Sequence, residues 1–277
     1  MKKSYKITIL GCGSSSGVPT IENGWGNCNP TNPKNIRTRT SALLTVNYHS
    51  NTSNNFKQIF NILFDVSPDF RQQALNNHIQ QIDAILFTHH HADHIYGIDD
   101  LRSVNRLMQK PIPAYATAET LQAIQKTHYY IFNRPNPTQV KDIFYKPVLD
   151  FHKFDYYNTL TLNKDIIINT ALQNHGKISS AGFIIDNKIG YITDFITLPE
   201  KTLNMYKNLE LIIIAGVTLK PHPSHMSIYE ILDIIKLLTP KQAIITHMSE
   251  QLDYDFLQEL LPNNVVAGYD GLVENII

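Results

Sequence analysis

Six consecutive residues, His89-His90-His91-Ala92-Asp93-His94, carry the densest chemistry in the chain. They follow the apolar run Ala84-Ile85-Leu86-Phe87-Thr88, which reads as a β-strand. In an extended stretch, residues i and i+2 point the same way, so His89 and His91 can chelate one ion together. If the chain then turns into a helix, Asp93 and His94 swing toward a second position. Imidazole and carboxylate are the donors that suit Zn²⁺, Mn²⁺ or Fe²⁺. A lone histidine would read as a satisfied core or surface residue. Four donors within six residues at a strand end read instead as a metal cluster.

The elements around this cluster must position it. Apolar, β-branched runs predict strands at Lys6–Leu10, Ser41–Val46, Ile59–Phe64, Ile82–Phe87, Ile166–Thr170, Gly182–Ile185, Ile189–Ile192, Leu211–Ile214 and Ala243–Thr246. Helical spacing appears over Asp69–Asn77, Ala118–Thr127, Pro199–Lys207, Ser227–Leu238 and Asp253–Leu260. Ser227 and Glu230 have the spacing of a capping box. The polar stretch His49–Asn55 reads as a hairpin loop. Early strands in hairpin order, with helices between later ones, predict sheets with helices outside rather than a doubly wound parallel sheet. The 277 residues are expected to form one domain, with an insertion at about 102–154 where Pro111, Pro113, Pro135, Pro137 and Pro147 interrupt the periodicity. The irregular loop Thr20–Thr40 reads equally as a functional loop and as a surface excursion pinned by Trp25.

Formal net charge is zero, with 24 basic and 24 acidic residues. That balance offers no electrostatic reason to expect nucleic acid or an anionic membrane as partner. No apolar stretch approaches the length of a membrane span. The run Ile7–Leu10 stops at Gly11-Cys12-Gly13, too short for a signal peptide core. With two cysteines, Cys12 and Cys28, the chain does not depend on disulfides, and a cytoplasmic location is expected. The loop Thr20–Thr40 could serve a homodimer interface as readily as a substrate.

His89-x-His91-x-Asp93-His94 resembles the second motif of the metallo-β-lactamase superfamily. The other motifs are matched in order by Asp65, Asn174-His175-Gly176, Tyr191-Ile192-Thr193-Asp194 and Ile244-Ile245-Thr246-His247. The resemblance implies an α+β fold, a four-layer αββα sandwich with the site along one edge. It implies two divalent ions, Zn²⁺ or Mn²⁺. His89, His91, His175 and Asp194 would hold the first, and Asp93, His94, Asp194 and His247 the second. Asp65 would orient a ligand rather than bind metal.

Two such ions can acidify a shared water and stabilise charge on a phosphoryl or carbonyl oxygen, so the expected reaction is hydrolysis by a metal-bound hydroxide. Ile9–Pro19, the Arg37/Arg39 loop, Gly97–Arg102 and Ile245–Ser249 resemble the phosphoribosyl 1,2-cyclic phosphate phosphodiesterase group, which implies a small cyclic or nucleotide-like phosphodiester as substrate. In phosphodiesterase branches a histidine between the last two motifs donates a proton to the leaving oxygen; His225, just before a predicted helix, matches that place. Arg102, Arg37 and Arg39 are candidates for gripping phosphate. Members of the group with an extra structural zinc hold it with a cysteine cluster in the early loop and a later histidine. Here that loop holds only Cys28 and the later region reads Ser249-Glu250, too few ligands for a closed zinc site. A tRNA 3′-processing nuclease, a glyoxalase-type thioester hydrolase and a non-catalytic metal-binding regulator are the competing readings.

Overall fold

The computed structural model describes residues 2–49, 56–132 and 145–277. The expected hairpin loop His49–Asn55 lies, after its first residue, outside them. In chain order the elements are β1 (Lys2–Gly11), β2 (Ser41–His49), β3 (Phe56–Phe64), α1 (Phe70–Asn76), β4 (Ala84–Leu86), α2 (Ala92–Ile95), α3 (Leu101–Met108), β5 (Ile112–Ala116), α4 (Ala118–Thr127), α5 (Tyr129–Phe132) and β6 (Leu149–Lys153). They continue with β7 (Thr159–Leu162), β8 (Ile166–His175), β9 (Ile178–Ile185), β10 (Ile189–Ile192), α6 (Glu200–Met205), β11 (Leu211–Ala215), α7 (Ile228–Leu238), β12 (Gln242–Thr246), α8 (Tyr254–Leu260), β13 (Val265–Ala267) and β14 (Val273–Ile276). The mixture is α+β, as expected.

The chain groups into two compact units. The first comprises Met1–Leu10, Ser41–Phe154 and Val273–Ile277; the second comprises Gly11–Thr40 and Asp155–Leu272. The first unit carries a sheet of order β14-β1-β2-β3-β4-β5-β6, in which β3 to β6 run parallel. Leu63, Ile85 and Ala114 stand in register and pack with Phe70, Ile95, Leu101, Val104 and Ile124 from the helices. Each of these side chains larger than alanine contributes about 1.5–3 kcal/mol by burial. The stretch 102–154, expected as an insertion, supplies α3, α4 and α5 together with β5 and β6, which extend the sheet beyond β4.

The second unit carries the order β13-β12-β11-β10-β9-β8-β7. β7 to β10 are antiparallel neighbours, and β10 to β13 are parallel. All five residues of β11, Leu211–Ala215, are buried, the continuous apolar run of a parallel strand covered on both faces. α7 buries Ile228, Ile231, Ile235 and Leu238 along one stripe. Its start is the expected capping box: the Ser227 amide donates to Glu230 Oε2 at 2.7 Å, and the Glu230 amide donates to Ser227 Oγ at 3.4 Å.

The loop Thr20–Thr40 is fastened within the second unit by Arg37. The Arg37 guanidinium is buried and donates to Ser249 O at 3.0 Å, Leu252 O at 2.6 Å and Asn35 Oδ1 at 3.2 Å. Cys28 Sγ donates to Glu250 O and Leu252 O beside it. The expectation that Arg37 grips phosphate is therefore corrected. Its two terminal nitrogens are spent on two backbone carbonyls and the Asn35 side chain, bonds that a buried guanidinium needs to offset its lost hydration. The clamp ties the early loop to residues 249–252.

Asp270 makes a second tie. It accepts from the Cys12 amide at 3.0 Å, the Thr38 amide at 2.8 Å and Thr38 Oγ1 at 2.6 Å. Burial outweighs these bonds and pushes its carboxyl up to about 6. Its unfolded value is near 3.9, so between those two pH values the folded chain binds more protons than the unfolded chain. This group's contribution to stability therefore falls as pH rises from about 4 to about 6, by roughly 3 kcal/mol at most. Asp270→Asn should abolish that slope. Urea unfolding at stepped pH checks it, and an unchanged pH dependence in the variant would contradict the assignment.

Candidate metal centre

Parallel neighbours end at one edge of their sheet, where side chains beyond the carboxyl ends of the strands converge. In the first unit, Phe64 of β3 and Leu86 of β4 are in register, which brings Asp65 beside Thr88. In the second unit, Ile192, Ile214 and Ile245 are in register across β10, β11 and β12, so Asp194 and His247 leave the sheet at one level. Asp65, Asp194 and His247 all take left-handed backbone conformations, with φ of 58°, 52° and 59°. Such conformations cost of order 1–3 kcal/mol each in a non-glycine residue and turn the chain sharply as the strand stops.

Asp65 organises the first unit's donors. It is fully buried and accepts from the Thr88 amide (2.7 Å) and Thr88 Oγ1 (2.8 Å), and its Oδ2 lies 2.7 Å from His94 Nδ1. Burial pushes its carboxyl up, while His94 and the hydrogen bonds pull the other way. An ionised carboxylate only accepts, so His94 Nδ1 carries the proton. Thr88 gives its single hydroxyl proton to Asp65. The 2.9 Å contact between Thr88 Oγ1 and His89 Nδ1 then requires that His89 Nδ1 donates. Both rings thereby keep the Nε2 lone pair for a cation. His94 Nε2 lies 3.4 Å from Asp93 Oδ2, and the His89 ring centroid lies 4.2 Å from that of His94 and 4.6 Å from that of His91. His89, Asp93 and His94 are buried, and His91 is exposed.

The second unit gathers its donors around Asp194. Oδ1 of that carboxylate lies 3.1 Å from His247 Nε2, 3.6 Å from His225 Nδ1 and 3.9 Å from His175 Nε2. His175 Nδ1 is 2.9 Å from the Ser224 carbonyl, which can only accept, so this ring too holds its Nε2 lone pair. Donor atoms of His175, Asp194 and His225 all fall within 4.8 Å of one another. A ring nitrogen bonded to a carboxylate or carbonyl opposite the ligating one is the usual companion of metal-bound histidine. Two of the expected ligands, His94 and His175, meet that test, and His89 reaches the Asp65 carboxylate through the Thr88 hydroxyl, so the residues fit a divalent cation.

His225 lies beside Asp194, just ahead of α7. Burial is the largest cause that lowers its pKa to about 3; Asp194 opposes, and His247, His175 and His222 reinforce. The ring is neutral in the metal-free chain. Arg39 is half-buried near Gly17. Arg102 lies on the exposed side of α3, 3.5 Å from the Tyr145 carbonyl. The glycine-rich start turns beside His247: the Met248 amide donates to Cys12 O, the Ser14 amide to Met248 O, and Gly17, at φ 68°, closes a turn onto Ser14 O. Thr88 was not among the expected residues; its only sequence signal is a hydroxyl directly ahead of the motif.

A family model, the beta-lactamase superfamily domain, matches residues 60–248. A solved diphosphatase of the PhnP family is 28% identical, with a TM-score of 0.84 over 99% of this chain and 98% of that one. The short form of human tRNase Z is 17% identical, with a TM-score of 0.66 over 98% of this chain and 99% of that one, a likeness of fold alone. A Porphyromonas gingivalis protein called an octanoyltransferase is 32% identical over 273 residues, which are 96% of this chain and 51% of that protein. The chain thus spans about half the length of this curated relative. With its metallo-β-lactamase fold, the chain belongs to the beta-lactamase superfamily of metal-dependent hydrolases and is related to the PhnP-type enzymes.

Proposed function

We propose that the chain is a dinuclear phosphodiesterase acting on a small cyclic or nucleotide-like phosphodiester in the cytoplasm. The proton placement around Asp65 carries the reading, because it presents His89 and His94 with unprotonated Nε2, the form in which imidazole binds a divalent ion. His89, His91, His175 and Asp194 would hold one ion, Zn²⁺ or Mn²⁺, and Asp93, His94, Asp194 and His247 the other. Ions in such sites supply hydroxide near neutral pH and stabilise charge on phosphoryl oxygens. The similarity to a PhnP-family diphosphatase supports phosphorus over carbon as the centre attacked.

The chain's own residues do the rest. Asp194, central to its unit's imidazoles, would lend one carboxylate to both ions. Arg102 and Arg39 would draw in the anionic substrate. As the new P–O bond forms and the ester P–O bond breaks, His225 would hand a proton to the leaving oxygen. An imidazole that is neutral in the free chain takes that proton as the substrate arrives, since an adjacent anion offsets the burial that lowers its pKa.

The relative called an octanoyltransferase favours a second reading, hydrolysis of an acyl thioester with the same donors. Turnover of bis(p-nitrophenyl) phosphate, a ribose 1,2-cyclic phosphate and an octanoyl thioester, each with Mn²⁺ or Zn²⁺, separates the two. Phosphodiester turnover supports the first, and thioester turnover alone replaces it with the second.

Asp65→Asn should weaken metal binding about 10–100-fold, because an amide can donate toward Thr88 and His94 and scramble both tautomers. Competition with a chelator measures it, and wild-type affinity in the variant would remove Asp65 from the account. His225→Ala should keep both metals while slowing cleavage of esters with poor leaving groups by about 10²–10⁴-fold. Loss of metal in that variant would instead make His225 a ligand.

A further inference from the structure

We propose that His222 is a further substrate-binding residue, whose Nε2–H donates a hydrogen bond to a hydroxyl of the leaving alcohol. The inference rests on the phosphodiesterase reading, with His225 as the residue that protonates the leaving oxygen.

His222 lies in the loop between β11 and α7, and that loop is closed at its base. The Ile228 amide donates to Thr218 O at 2.8 Å, the Val217 amide to Met226 O at 3.4 Å, and the Lys220 amide to Thr218 Oγ1 at 3.1 Å. Pro221 and Pro223 flank His222. Each proline fixes its own φ, and Pro223 also pushes the residue before it toward extended backbone. The loop therefore has few ways to carry this ring.

Ser224 sets the ring's proton. Its carbonyl faces His175 Nδ1, while its amide donates to His222 Nδ1 at 3.4 Å and its Oγ lies 3.3 Å from the same nitrogen. An amide can only donate, so His222 Nδ1 accepts and the proton of the neutral ring sits on Nε2. This is the reverse of His89, His94 and His175, which keep the Nε2 lone pair for a cation. His222 thus presents an N–H on the edge turned away from Ser224. Among the described residues, no acceptor meets that N–H, and the ring is half-buried.

The ring stands against His225, with centroids 5.2 Å apart and planes at 48°. His225 in turn lies 3.6 Å from Asp194 Oδ1, and its centroid is 4.8 Å from that of His175 and 5.0 Å from that of His247. His222 is one ring removed from three expected ligands and adjoins the expected proton donor. A leaving oxygen that meets His225 brings the atoms attached to it toward His222. A sugar-like alcohol offers a hydroxyl there, and a bare alkyl group offers no acceptor.

Ribose 1,2-cyclic phosphate and ethylene phosphate share a five-membered cyclic diester and an alcohol leaving group; only the ribose compound carries further hydroxyls. Steady-state kinetics on both, with metal-loaded wild type, His222→Ala, His222→Phe and His222→Gln, test the contact. Wild type should prefer the ribose compound in kcat/KM. His222→Ala should shrink that preference by about 3–10-fold, mostly through KM, the size of one neutral hydrogen bond. His222→Phe keeps a ring against His225 without the N–H and should match the alanine variant, whereas His222→Gln keeps a donor and should retain part of the preference. Equal slowing of both compounds, a phenylalanine variant that behaves as wild type, or loss of metal from the variants would overturn the proposal, since each makes His222 a support for its neighbours. Bis(p-nitrophenyl) phosphate, assayed alongside, separates the failures. Phosphodiester turnover by wild type without a His222-dependent preference for the ribose compound sinks this inference alone. No turnover of any of the three sinks the phosphodiesterase reading and this inference with it.

Discussion

The proton arrangement set by Asp65 is the constraint on which the first unit's donors depend. One buried carboxylate accepts hydrogen bonds from His94 Nδ1–H and from the Thr88 hydroxyl, and the hydroxyl oxygen in turn accepts one from His89 Nδ1–H. Two imidazoles are thus committed to one tautomer by a single acceptor. Burying a carboxylate is costly, and its raised pKa reports that cost. The cost is tolerable because every bond it accepts comes from a group that itself must be oriented. The second unit reaches the same end differently, with the Ser224 carbonyl fixing His175 and three imidazoles facing Asp194.

Both units use the same local device. Parallel strands end in register, and a residue in left-handed conformation turns its side chain at the sheet edge: Asp65 in one unit, Asp194 and His247 in the other. The sheets themselves are ordinary apolar constructions whose burial outweighs the strain at these few positions. Loops are fastened with equal economy. Arg37 makes two hydrogen bonds and Asp270 three to groups more than 200 positions away, so two polar residues tie the chain between 11 and 40 to its last third.

What was legible in the sequence follows from how local each signal is. Ile189–Ile192, Ala118–Thr127 and the Ser227/Glu230 cap appear where expected because apolar spacing and capping act over a few residues. The histidine cluster was legible because four donors fall within six positions of a strand end. β5 was not, because Pro111 and Pro113 read as breakers; Pro113 lies near the strand's start, where a missing amide proton is tolerated. α3 was hidden in the same stretch, although Leu101, Val104 and Met108 have helical spacing. Arg37 could not be read locally at all: two of its acceptors lie more than 200 positions away, and an arginine that clamps a loop has the same local sequence signal as one that grips phosphate. Thr88 was missed for the same reason.

The central proposal is that the chain holds a pair of divalent ions close to one another. Electron paramagnetic resonance of the chain loaded with Mn²⁺ tests it most directly, because two bridged Mn²⁺ ions couple their spins. The account predicts a coupled-pair spectrum that saturates at about two ions per chain, the stoichiometry of a two-metal site. An isolated six-line spectrum at every Mn²⁺ loading, or no bound Mn²⁺ or Zn²⁺ at all, would contradict it.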